Sequence, residues 1–122
     1  MKEEVPMNIQ IFGKTKCFDT KKAERHFKER GIKFQKIDLL QKPMSKGEFT
    51  RVKQALGGWE ALVDENSKDK ETLLLIQYLS AEDKEQKLFE NPQIFKTPVV
   101  RNGSKVTVGF QPEIWKKWEQ EK

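Results

Sequence analysis

Met7, Ile9 and Ile11 alternate with Asn8 and Gln10 before Phe12 fills the second face, the period-two pattern of a strand whose first face turns inward. From Asp19 to Arg30 the period changes. Ala23 and Phe27 lie four apart and Gly31 supplies a stop, which predicts a helix of about 12 residues. Alternation returns over Ile32-Lys33-Phe34-Gln35-Lys36-Ile37-Asp38-Leu39. Strand, helix and strand in this order predict a βαβ unit with both strands parallel in one sheet.

The pattern is helical through the middle, from about residue 43 to residue 92. Ser45 after Pro43-Met44 is placed to cap a helix, with Glu48 completing a capping box, and Phe49, Val52 and Leu56 share one face before Gly57-Gly58 ends it. Trp59, Leu62 and Val63 predict a short helical turn. Asp69 to Leu79 holds Leu73, Leu74, Leu75, Ile76 and Leu79, and so many apolar positions predict a helix that is buried. Ser80-Ala81-Glu82-Asp83 opens another helix that runs to about Phe89, where Pro92 interrupts.

The last third changes character. Thr97-Pro98-Val99-Val100 and Val106-Thr107-Val108-Gly109-Phe110 flank Asn102-Gly103, a strong two-residue hairpin signal. After Pro112 a closing helix carries Ile114, Trp115 and Trp118 on one side. A βαβ unit, a helical insert, a β-hairpin and a final helix make up the order of an α/β, thioredoxin-like domain. The expected architecture is a four-stranded mixed sheet with helices on both faces. Residues 1–6 read as an N-terminal extension and residues 7–122 as one domain with its insert at about 43–92.

Charge narrows the functional classes. The 122 residues carry 24 basic and 19 acidic side chains, a net charge of +5, but the two signs are interleaved as on solvated helix faces. The aromatic residues sit at core spacings rather than in one stripe among bases, so direct nucleic-acid binding is disfavoured. No apolar run of about 18 residues exists to span a membrane. The first residues lack the apolar stretch of a signal peptide, and one cysteine cannot form an internal disulfide, so a cytoplasmic setting is expected. Asn102-Gly103-Ser104 has the form of a glycosylation acceptor but reads better as a turn. No cluster of His, Cys, Asp or Glu has metal spacing, and no glycine-rich phosphate loop is present.

The single cysteine, Cys17, falls where the first strand gives way to the first helix. A lone cysteine is commonly a small buried filler. At a helix start, however, unpaired N–H groups and the helix dipole favour the thiolate, and lysines at 14, 16, 21 and 22 add to that preference. Lys14, Lys16 and Lys21 are candidates to hold an anion near the sulfur; each is otherwise an ordinary exposed lysine. Thr20 lies one helical turn past Cys17, within reach of the sulfur, where its hydroxyl is able to donate to a thiolate. His26, nine residues on, is about 13 Å further along the helix axis and reads as a surface histidine rather than a catalytic base.

Cys17-Phe18-Asp19-Thr20-Lys21-Lys22-Ala23 after a strand, then Thr97-Pro98-Val99-Val100 and Val108-Gly109-Phe110, resembles the arsenate reductase (ArsC) family and its Spx-type relatives over residues 7 to 118. The resemblance is weakest from Gly57 to Lys70. It implies that Cys17 is a redox nucleophile and that Pro98 is the cis-proline beside it. Two departures are specific. Thr20 stands where the family has cysteine or serine, so an adduct on Cys17 must be resolved by an outside thiol. Thr97, preceded by Lys96, stands where the family has an oxyanion-binding arginine, and Gly58-Trp59-Glu60-Ala61 occupies the stretch of a second one. Threonine cannot reproduce an arginine's bidentate grip.

The resemblance thus implies a thiol-dependent reductase of arsenate reductase or glutaredoxin type. It would work by monothiol chemistry, with no bound cofactor and with glutathione, another small thiol or a glutaredoxin-like reductant as co-substrate. Two other readings are a Spx-like regulatory module that binds RNA polymerase or another protein, and a catalytically silent member of the fold.

Overall fold

The computed structural model describes residues 7–120; the extension at residues 1–6 lies outside them. Four strands form one sheet in the order β2-β1-β3-β4: β1 (Ile9–Gly13), β2 (Phe34–Asp38), β3 (Val99–Asn102) and β4 (Lys105–Val108). β1 pairs parallel with β2 and antiparallel with β3, and β3 pairs antiparallel with β4. The mixed sheet of a thioredoxin-like fold results, with β1 inside it and Gly13 at the end of that inner strand.

Alternation along β1 divides the core between the two faces. Ile9 and Ile11 join Ala23 and Phe27 of α1 (Phe18–Glu29) and Trp115 and Trp118 of α5 (Pro112–Gln120) on one side. Trp115 donates its indole N–H to the Thr107 hydroxyl at 2.9 Å, so this ring is buried without an orphaned donor. Phe12 and Val99 face the other side and pack with Met44, Phe49, Val52, Leu62, Leu88 and Ile94. That layer comes from the connection between β2 and β3, which holds α2 (Lys46–Leu56), α3 (Lys70–Ile76), α4 (Ala81–Glu90) and two 3₁₀ turns, Glu60–Leu62 and Pro92–Ile94.

Local chemistry sets these boundaries. The Ser45 hydroxyl accepts from the Glu48 N–H at 3.1 Å while Glu48 accepts from the Ser45 N–H at 2.9 Å, the expected reciprocal box. Asp69 caps α3 through the Thr72 N–H, and Ser80 caps α4 through the Asp83 N–H.

Three expectations need correction. Segment 69–79 is not buried: α3 ends at Ile76, and Leu74 and Leu75 are 54% and 48% exposed. A single helix face meets the core, and Leu73 and Ile76, three apart, take it, which turns the intervening leucines to solvent. The hairpin turn is displaced by one residue. Asn102 pairs with Lys105, so Gly103 and Ser104 form the loop. Only Gly103 has positive φ, +61°, the pattern of a type II′ turn with glycine first. Asn102 instead accepts the Asn8 N–H on its side chain at 3.1 Å. His26 is the third case. Its ring packs 5.0 Å from that of Phe27 and 5.2 Å from that of Trp115, and its Nε2 is buried without a partner among the described residues. Trp115 of α5 covers part of the ring, which the periodicity of α1 alone does not reveal.

Candidate functional site

Beyond Gly13 the chain makes a tight turn in which the Cys17 N–H donates to the Lys14 carbonyl at 3.1 Å. Cys17 then serves as the N-cap of α1, its carbonyl accepting from the Lys21 N–H at 3.2 Å. The sulfur is thereby held at the positive end of a 12-residue helix, half-buried. Across from it lies the loop before β3, where the Thr97–Pro98 peptide bond is cis. Thr97 and Pro98 are buried, and the Thr97 carbonyl is 3.5 Å from the Cys17 sulfur.

Two opposing effects act on the thiol. Burial pushes its pKa up; the hydroxyls of Thr20 and Thr97 and the N–H groups of Thr20 and Asp19 pull it down. The net result lies below the ordinary thiol value. The groups that stabilise the thiolate are neutral dipoles fixed by the fold.

Thr20 is placed with little freedom. It is 3% exposed, and its hydroxyl accepts from the Lys14 N–H at 3.4 Å, which leaves its own proton for the sulfur. Gly13 makes this possible. A Cβ at residue 13 would lie 2.2 Å from Thr20 Cγ2 and 2.7 Å from its Oγ1, so only glycine at the strand end lets the threonine in.

Lys14 has a different position from Lys16 and Lys21. Its ammonium donates to the carbonyls of Gln93 and Phe95, at 2.8 Å each, and so ties the thiol loop to the segment that leads into Thr97–Pro98. Burial lowers its pKa; the charges of Asp64 and Cys17 act in the opposite sense. The Gln93 carbonyl also accepts from the Ser67 hydroxyl at 3.2 Å, and its side-chain amide donates to Asp69, the α3 cap, at 2.9 Å. Lys16 and Lys21 are exposed, and their side chains make no hydrogen bond or ion pair with the described residues. The structure brings together Cys17, Thr20, Thr97 and Pro98, each of which the sequence or its resemblance singles out. For Gly13 and the Gln93 and Phe95 carbonyls the sequence holds one signal, a glycine closing an apolar strand just before the cysteine.

Comparison with known proteins gives a consistent result. A global transcriptional regulator Spx 2 of Oceanobacillus iheyensis is 25% identical over 109 residues, 88% of this chain and 80% of that one. The arsenate reductase of Vibrio cholerae superposes with a TM-score of 0.78 at 23% identity, covering 93% of this chain and 98% of its own, and shares the fold. The solution structure of a Staphylococcus aureus protein gives a TM-score of 0.73 at 26% identity over 89% of this chain and 96% of its own. The ArsC family model matches residues 12–118, which is nearly all of the chain, so the chain belongs to the ArsC family.

Proposed function

We propose that this protein is a monothiol oxidoreductase in which Cys17 exchanges with small disulfides and glutathione or a similar thiol resolves the adduct. The observation that carries this reading is the setting of the sulfur: half-buried at the N-cap of α1 and stabilised as thiolate by Thr20, Thr97 and backbone N–H groups. In the first step the Cys17 thiolate attacks one sulfur of glutathione disulfide. A Cys17–glutathione disulfide forms and one glutathione thiolate leaves. In the second, another thiolate attacks the glutathione sulfur of the adduct, and Cys17 leaves as the thiolate that its surroundings stabilise. The chain has one cysteine, so no internal thiol competes for the adduct.

Arsenate is a poorer substrate on this reading. Thr97 contributes a hydroxyl where a guanidinium would grip an oxyanion, and the Lys14 ammonium is directed at two carbonyls. The test is mass spectrometry of the protein incubated with glutathione disulfide. One glutathione should add to wild type, be removed by excess reduced glutathione, and be absent in Cys17→Ser. An unmodified wild type under the same conditions would refute the proposal.

A second reading, a Spx-like module that binds a protein partner, is favoured by the names of the relatives and by Phe18, which is 82% exposed directly beside Cys17. Partner binding unchanged by Cys17→Ser but lost in Phe18→Ala would support it over the first.

A further inference from the structure

At the opposite end of the sheet from Cys17, a cavity of about 410 Å³ opens between α2 and the β3–β4 hairpin, lined by Arg51, Gln54, Ala55, Arg101, Ser104 and Val106 with the Gly103 backbone. It falls in the volume range of small-molecule sites. Two arginines from different elements line it and no acidic residue does so among the described residues.

One of the two arginines is already oriented. Gln10 and Arg101 are register partners on β1 and β3, and Gln10 pairs with Gln35 on β2. Gln10 donates to the Gln35 side-chain carbonyl at 3.1 Å and accepts from Arg101 Nη1 at 3.2 Å, while Arg101 Nε donates to the Gly103 carbonyl at 3.1 Å. A row of amides thus holds the guanidinium against the sheet. These contacts occupy part of its five N–H donors and leave the rest for a ligand. The side chain of Arg51, one helical turn before Gln54 and Ala55, makes no hydrogen bond or ion pair with the described residues; neither do those of Gln54 and Ser104. Ala55, small and exposed, lines the cleft between them.

From this we infer that the cleft binds the phosphate group of a small molecule. The Arg101 guanidinium donates from the sheet side, Arg51 from the α2 side, and the Ser104 hydroxyl and Gln54 amide complete the donor set. Donors converging from three elements suit a tetrahedral dianion better than a planar carboxylate. The net charge of +5 favours arrival of any anion and does not itself select this one. The site is separate from Cys17 and does not depend on thiol chemistry.

Inorganic phosphate is the probe, titrated into the full chain at constant ionic strength while backbone amide and arginine Nε–H resonances are followed. Saturable shifts are expected for Gly103, Ser104 and the two arginines, with the Cys17 turn unmoved. Arg51→Gln should weaken binding by about tenfold or more, and Ala55→Leu should abolish it by filling the cleft, both with an otherwise unchanged amide spectrum. Absence of saturation, equal affinity in Arg51→Gln, or succinate binding as tightly as phosphate would each overturn the assignment.

Discussion

The two ends of the inner strand use cationic and polar groups in opposite ways. Beyond the C-terminal end of β1, the partly buried cation Lys14 is tied to the Gln93 and Phe95 carbonyls, and neutral groups, hydroxyls, N–H groups and the Thr97 carbonyl, surround the sulfur. Beside its N-terminal half, Gln10 orients one guanidinium, and the side chains of Arg51, Gln54 and Ser104 have no partner among the described residues. One end is closed around the chain's own thiol; the other is open toward the ligand proposed for it. A charge next to a site is therefore a poor guide to function until its partners are known.

Gly13→Ala tests the closed end most severely. The new Cβ meets Thr20, whose backbone is fixed in α1, and overpacking of this kind should cost about 3 kcal/mol, read from chemical denaturation. Lys14→Met should cost about 2 kcal/mol, because it removes two hydrogen bonds from a cation to loop carbonyls. Its effect on the Cys17 pKa should be small, since the groups that lower that pKa are the hydroxyls of Thr20 and Thr97 and the N–H groups of Thr20 and Asp19. Both changes should leave phosphate titration at the other end intact. If either shifted the Gly103 and Ser104 resonances, the two ends would not be independent.

Thr20→Val keeps the shape and removes the hydroxyl. It should lower stability by about 1 kcal/mol and raise the Cys17 pKa, slowing alkylation at neutral pH by several fold. The smallest effect concerns His26. Burial, with help from Arg30 and Lys116 and opposed by Glu119 and Glu29, depresses its pKa. The unfolded chain therefore binds the proton more readily, and stability should fall as pH drops from about 6.5 through the folded value. His26→Gln should flatten that part of the denaturation profile while leaving alkylation of Cys17 unchanged.

Local signals carried most of the fold. The alternation of Ile9 and Ile11, the Ser45–Glu48 box and the Ala23–Phe27 spacing each depend on near neighbours in the chain, and each appears as expected. What escaped was set by distant packing. Four apolar residues in a row gave α3 no preferred face until Leu73 and Ile76 met the layer under the sheet. His26 read as exposed because the helix that covers it begins at Pro112. At the site, Cys17 and Thr20 were readable as a pair within one helical turn, whereas the Lys14 carbonyl partners lie about 80 residues away in sequence. The arginine cleft joins β3 to α2, and its only trace in the sequence is two basic residues 50 positions apart.

On the proposed function, the closed end prepares a reactive thiolate. The most direct test is the rate of iodoacetamide alkylation of Cys17 in the folded protein across pH. A folded-state pKa held below the unfolded one means that thiolate formation adds stability as pH rises toward the unfolded value of about 8.5, and that this gain is lost as pH falls through the folded pKa. The alkylation midpoint should lie below about 8.5 and move upward in Thr20→Val. Slow labelling with a midpoint at or above that value, unaffected by Thr20→Val, would show Cys17 to be a structural thiol and contradict the proposed function.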